Sequence, residues 1–507
     1  MNPNTAVEQL HSIDRECRHL EKTTALLQWD QETQLPPGAV EDRAEQIALV
    51  QSIWHRKLTD PQTGRLLDEL GADEQTPGGD EKLPRLERDF CRVFRRNYDR
   101  AVKLPEDLVR DAARAEGLSQ AAWVEARQAN DFASFVPHLT AMIDFARKKA
   151  RCWGFEGPRA YDGLLDLYEP GLTAAETEAL FTPLKEGLSA LLQKIARAAP
   201  PETSFLDREY KVEEQVRFNR ELMEGLGFDT RRGRLDISVH PFTSSLGFND
   251  IRITTRYAPA NVLSSVFSTI HESGHAFYEL GLSPELQGSC LAEGASMAVH
   301  ESQSRLWENV IGRSLPFWEW WLPRLKARFP EQLLGVAPEA FYRAVNQVRP
   351  SLIRVDADEV SYALHIILRF ELEKQLFAGS LRVEDLPGAW NRLMKDLIGV
   401  TPPSDTAGVL QDVHWSMGSF GYFPSYALGN LYGLQIWEKL RQDLPETGTL
   451  IREGKFEILY QWLREKIYRS GCRVEPAALL AQVTGEKLSV NPFLRYLKDK
   501  YTVLYGL

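Results

Sequence analysis

The chain has too few cysteines, too little positive charge and too few apolar runs for several broad classes of protein. Five cysteines stand among 507 residues, an odd number, widely scattered (Cys17, Cys91, Cys152, Cys290, Cys472) and without a Cys-x-x-Cys pair. That argues against a disulfide framework and against a thiolate metal site, so reduced thiols in a cytoplasm are expected. Lys and Arg number 60 against 71 Asp and Glu, a net charge of −11. No broad surface for nucleic acid or anionic membrane is expected from such a balance. No stretch of about eighteen consecutive apolar residues occurs, so no membrane span is expected. The opening residues, MNPNTAVEQLHSIDREC, lack a basic run followed by an apolar core, so a secretory leader is not expected either.

What remains is the composition of a large globular protein, 43% hydrophobic and 26% charged. Apolar residues recur at three- and four-residue spacing over Ala6 to Leu27, Ala39 to Leu58, Glu87 to Leu104 and Thr173 to Ala198, which predicts amphipathic helices. Pro- and Gly-rich breakers separate them, among them Pro36-Pro37-Gly38 and Glu169-Pro170-Gly171. None is long enough for an interdomain linker, so a single mainly α-helical domain over residues 1–507 is expected. The tryptophans at 318, 320 and 321 read as packing between helices.

One segment breaks the helical rhythm. Arg234 to Tyr257 is rich in β-branched residues, and in Asp250 to Tyr257 the positions Ile251, Ile253 and Thr255 alternate with Arg252, Thr254 and Arg256. The period of two predicts a strand, with Ser244 to Asn249 as a hairpin turn, hence a small antiparallel sheet. A strand at Asp250 to Tyr257 suits pairing with an extended peptide.

Directly after it, a helix predicted from Ala260 to Leu280 carries His271-Glu272-Ser273-Gly274-His275. Two imidazoles one turn apart reach a single ion, and Glu272 stands beside them to take a proton from water. Read blandly, the pair is two surface histidines on an amphipathic helix. A catalytic zinc site needs a third protein ligand and an open position. Position 281 is Gly281, which excludes the metzincin arrangement. A second helix, Gly294 to Asn309, offers Glu301, with Glu293 and Glu308 as competitors, and two histidines plus a glutamate make the gluzincin pattern. His300 reads equally as a partner behind a ligand or as an ordinary polar residue.

The chain resembles the carboxypeptidase Taq family of metallocarboxypeptidases. His271 to His275 and His300-Glu301-Ser302-Gln303 carry the resemblance. His240-Pro241-Phe242, Asp250 to Thr254, Ile353 to Asp358, Gly408 to Trp415 and Gly421 to Tyr426 follow the family's signatures in order, and Trp29 to Thr33 with Pro36-Pro37-Gly38 is similar to its opening segment. The resemblance implies a helical gluzincin fold with a deep groove, roofed by residues of about 1–110, with the catalytic motifs in about 230–430. It implies a homodimer acting on peptides with a free C-terminus, with His271, His275 and Glu301 as metal ligands and Glu272 as base. Zn2+ is the expected cofactor, with Co2+ or Mn2+ as substitutes.

A carboxypeptidase must hold a terminal carboxylate, and a guanidinium fits that role. Arg252 and Arg354 lie inside the matching motifs, and each has an equally ordinary alternative in a neighbouring acid (Asp250, Asp356 or Asp358). Tyr422 or His414 would donate to the oxyanion. His240 is a further substrate-side candidate. The rival readings are an endopeptidase or oligopeptidase of the same chemistry without a terminal clamp, and an inert helical interaction protein with a vestigial metal site.

Overall fold

The computed structural model describes residues 3–507, with side chains from residue 5, and it is helical nearly throughout. The predicted helices form as Pro3–Thr33, Val40–Leu58, Arg85–Val102 and Ala174–Ile195, the last opened by a reciprocal capping box between Thr173 and Glu176. Trp318 and Trp321 are buried between helices. The N-terminal helices close a small core of their own: Leu10, Leu58, Leu67, Phe90 and Phe94 pack with Leu286, Cys290 and Leu291. The remaining elements share one large core.

The sheet has three strands, β1 (Gly233–Ile237), β2 (Thr243–Gly247) and β3 (Asp250–Thr255), in the order β1-β3-β2. The antiparallel sheet expected from the sequence is therefore a mixed one. β2 and β3 pair antiparallel, but β1 runs parallel to β3, because the connection between them contains β2 itself. The hairpin turn is tighter than the spacing suggested, since Ser244 and Ser245 belong to β2. β3 lies in the centre with both edges occupied, so it cannot add a peptide strand; only β1 and β2 present outer edges. The alternation in β3 holds for Ile251 and Ile253, which are buried. Thr254 is buried as well, its hydroxyl satisfied by Ser238 Oγ at 2.6 Å and by the Phe242 N–H, which donates to it at 2.9 Å.

The HExxH helix spans Val262–Gly281, with Asn261 capping the Ser264 N–H, and buries the expected Val262, Val266, Phe267 and Ile270. The return helix spans Met297–Arg305 and continues as a π-helical turn over Leu306–Ile311. A third helix, Phe423–Asp443, closes over the return helix from the other side. These three approach closely where side chains are missing. A Cβ at Gly274 would stand 2.6 Å from Ser304 Cα and 2.7 Å from the Gln303 carbonyl oxygen; one at Gly429 would stand 2.7 Å from Glu301 Cγ. At Gly274 the approach is to backbone and at Gly429 to the Glu301 side chain, and a larger residue at either place would force the helices apart.

Gly274→Ala is accordingly expected to lower the unfolding free energy by about 1–3 kcal/mol. Urea denaturation measures that loss, and the same spreading should weaken metal binding in a calorimetric titration.

Candidate metal centre and active site

The close approach of the HExxH and return helices brings three side chains together. Glu301 Oε2 stands 3.6 Å from His271 Nε2 and 3.3 Å from His275 Nε2. Ligand atoms from the three residues lie within 4.8 Å of one another, the one His/Cys/Asp/Glu cluster of this kind among the described residues. Donors about 2.0–2.1 Å from a tetrahedral zinc stand roughly 3.3 Å from each other, so the set fits the ion.

The other ring nitrogens are tied down, which aims the free ones. His271 Nδ1 bonds Glu308 Oε2 at 2.9 Å. His275 Nδ1 meets His300 Nδ1 at 2.7 Å, and His300 Nε2 meets Glu279 Oε1 at 2.9 Å. One imidazole is thus backed by a carboxylate, the other by a second imidazole and then a carboxylate. Glu301 is steadied on its far oxygen by Arg305 Nε at 2.7 Å, and Ser304 Oγ donates to Oε2 at 2.8 Å.

Burial opposes the charge on Glu301, yet Arg305 and His271 hold its carboxyl well below the usual carboxylate range. Glu308 behaves likewise: despite burial, the bond from His271 with Arg305 and Arg313 beside it draws it down to about 2. His271 is raised, because Glu301 and Glu308 outweigh its burial. Burial, with His300 and His271 adding, pushes His275 down to about 4 against the pull of Glu301. The two imidazoles thus sit in different fields, although one helix carries both.

Glu272 is buried beside this cluster, and Thr243 Oγ1 of β2 donates to its Oε2 at 2.6 Å. Burial raises its pKa, while His271 and the Thr243 bond restrain the rise.

Glu293 and Glu308, the competing ligand candidates, lie elsewhere. Glu293 accepts from Arg18 Nη1 of the N-terminal helix at 2.7 Å, and Glu308 stands behind His271.

The clamp candidates are both engaged with acids. Arg252 is held bidentately by Asp250 (2.9 Å twice) and lies 4.4 Å from the Trp29 ring centroid. Arg354 is buried, and its Nε and Nη2 donate to Asp412 Oδ1 at 3.0 and 2.9 Å. Its partner is neither Asp356 nor Asp358 but the acid two residues before His414. Arg369 donates to the other oxygen of Asp412. Gln411 Oε1 accepts both the Arg354 N–H (2.9 Å) and Arg369 Nη2 (2.8 Å), which fastens the Ile353 to Asp358 segment onto the Gly408 to Trp415 segment. Arg354 Nη1 meets the Tyr362 hydroxyl at 3.2 Å, and the Tyr362 ring carries Arg305 at 4.1 Å. The cation of the clamp motif and the cation behind Glu301 thus meet on one tyrosine.

His414 Nε2 lies 3.2 Å from Tyr426 Oη. Burial, with Arg354 and Arg369 adding to it against Asp412, pushes His414 down to about 4, so the ring is neutral at physiological pH. Tyr422 stands at the start of the closing helix with its ring edge-on to Tyr426 and to Tyr168, at 5.1 and 4.9 Å. Burial and then Glu301 raise its phenol, so it stays a donor. His240 is exposed on the connection between β1 and β2, where its carbonyl accepts from Ser238 Oγ.

Sequence reasoning passed over Thr243, Glu279, Arg305, Tyr362, Arg369 and Tyr426. Arg305 had a readable signal, four residues after Glu301 on the same helical face. Two buried carboxylates were missed as well. Glu169 receives the Ala298 N–H at the start of the return helix and the Ser425 hydroxyl at the start of the closing helix. Glu373 accepts from the Trp415 indole, the Tyr161 hydroxyl and the Gly421 N–H, pinning the segment between His414 and Tyr422.

Residues 9–501 match the family described as carboxypeptidase Taq (M32) metallopeptidase. The chain is 43% identical to thermostable carboxypeptidase 1 of Thermus thermophilus and 38% identical to carboxypeptidase 1 of Bacillus subtilis, each over 100% of both chains. The crystal structure of an M32 carboxypeptidase from Deinococcus radiodurans superposes with a TM-score of 0.96 at 39% identity, covering 99% of this chain and 100% of that one.

Burial raises Glu169 to about 7, against the bonds from Ala298, Ser296 and Ser425. A carboxyl raised above its unfolded value stabilises fully below the unfolded pKa, and that contribution is lost as pH rises through about 7. Glu169→Gln, neutral at every pH, should therefore gain on the parent by about 2 kcal/mol between pH 5 and pH 8 in denaturant titrations.

Proposed function

The chain belongs to the carboxypeptidase Taq (M32) metallopeptidase family and is a metal-dependent carboxypeptidase; from that premise we propose that His271, His275 and Glu301 hold a zinc ion and that Glu272 is the general base. The observation that carries this reading is the convergence of two Nε2 atoms on Glu301 Oε2, with both Nδ1 atoms already engaged. Bound by His271, His275 and Glu301, such an ion would supply Lewis acidity that lowers the pKa of water and polarises the scissile carbonyl. Cobalt and manganese suit the same donors.

The chain's own groups do the rest. Glu272 removes the proton from the attacking water and delivers it to the leaving amine. Tyr422 donates its phenolic hydrogen to the oxyanion; it reaches that role protonated, whereas His414, neutral and bonded to Tyr426, serves by orienting the tyrosine pair. Arg354 receives the terminal carboxylate. Its burial removes competing water; Asp412 holds Nε and Nη2, and Nη1 meets the neutral Tyr362 hydroxyl, which a carboxylate can displace. Arg252, committed to Asp250 and stacked on Trp29, lines the approach between the N-terminal helix and the sheet. His240 is the weakest of the set, exposed as it is.

The substrates are peptides with free C-termini, cleaved with broad specificity. The whole chain is one catalytic domain whose N-terminal helices roof the groove. Among the described residues no helix is long and apolar enough to cross a membrane. The free cysteines suit a reducing compartment, and we read the protein as cytoplasmic. A homodimer is carried by the family resemblance.

Two measurements test this reading. Glu272→Gln should abolish amino-acid release while the zinc affinity stays within about tenfold of the parent. A peptide amidated at its C-terminus should resist cleavage, and Arg354→Met should raise KM for the free acid by about a hundredfold while narrowing the preference over the amide. Equal cleavage of acid and amide by the parent protein would instead mark an endopeptidase.

A further inference from the structure

The sheet is small for an enzyme of this size, yet its edge strand touches the active site twice. Thr243 and Ser245 are two residues apart on β2 and so share one face of the strand. Both hydroxyls reach the HExxH helix. Thr243 donates to Glu272, and Ser245 stands beside the carboxylate of Glu279 and favours its charged form. Glu272 and Glu279 are two helical turns apart and share a face of that helix. Ser245 Oγ also accepts from Lys22 Nζ of the N-terminal helix at 3.0 Å, so its single proton is free for Glu279.

The two carboxylates differ in what they serve. Glu279 accepts from His300 Nε2, which leaves His300 Nδ1 as an acceptor for His275 Nδ1–H. In this arrangement His275 presents the lone pair of Nε2 toward Glu301. The threonine has one proton, and it goes to Glu272 Oε2, which leaves Oε1 without that bond.

We propose that Thr243 and Ser245 are positioning residues with separate duties: Thr243 aims the general base, and Ser245, braced by Lys22, fixes the far end of the Glu279–His300–His275 chain that sets the tautomer of a metal ligand. The proposal rests on the reading of Glu272 as base and His275 as ligand. It assigns the sheet a purpose beyond packing, and it ties the N-terminal helix to metal affinity through one lysine.

The test compares Thr243→Val, Thr243→Ser and Ser245→Ala with the parent and with Glu272→Gln, all as full-length protein. Steady-state kinetics on a free-acid peptide gives kcat and KM, and competition with a chromophoric chelator gives the zinc dissociation constant. Thr243→Val should lower kcat about tenfold, leaving KM and the zinc constant within about twofold, and Thr243→Ser should restore kcat. Ser245→Ala should weaken zinc binding about fivefold, less than loss of a group in direct contact with a ligand. The proposal is overturned if Thr243→Val keeps the parental kcat, if serine fails to restore it, or if both variants shift kcat and zinc affinity in proportion. An active Glu272→Gln would bring down the reading of the base itself. An inactive Glu272→Gln beside an unaffected Thr243→Val would bring down this proposal alone.

Discussion

The active site depends on how closely three helices can approach. Imidazoles on one helix and a carboxylate on the next reach a common point only if the backbones nearly touch, and Gly274 and Gly429 permit that contact on either side of the return helix. Glu301 lies in the resulting slot with its own Cβ and Cγ against Gly429. The glycine inside the HExxH motif therefore has a packing reason that the metal chemistry alone does not supply. Everything else in the site follows from the position this slot gives to one carboxylate.

Such a slot concentrates charge. Glu301, Glu308, Arg305 and Arg313 are drawn together behind two histidines, away from bulk water. Isolated, each of these ions would be costly to bury; as a bonded chain they satisfy one another. The same logic recurs where Arg354 and Arg369 divide the two oxygens of Asp412. Both clusters are rigid by construction, which suits a site whose reacting atoms must be held within a few tenths of an ångström. Tyr362 lies between them, in contact with a cation of each.

The sequence made the local parts of this legible and hid the non-local ones. A spacing of four puts His271 and His275 on one face, whatever surrounds them. Glu301 emerged as one of three acids within reach, and choosing among them needed the fold or the family resemblance, because helix pairing decides which acid returns to the histidine pair. Glu308 stood as a competing ligand, since nothing in its neighbours announces the π-turn that sets it behind His271. Strand positions were readable from alternation, but strand direction was not: β1 runs parallel to β3 because the intervening strand folds back between them in the chain, not in the sheet. The partner of Arg354 was missed for a simple reason. The nearby Asp356 and Asp358 were obvious choices, and Asp412 lies on a distant segment that only tertiary structure brings close.

The π-helical turn after Arg305 has one more effect. A helix that takes an extra residue into one turn slips in phase by about 100° relative to its continuation. The return helix therefore works as two joined screws: its first half brings Glu301 to the histidine pair, and its second half carries Leu306, Trp307 and Ile311 into the hydrophobic interior while Glu308 backs His271. The phase slip thus lets one helix meet the same histidine from two directions, with Glu301 before the turn and Glu308 within it.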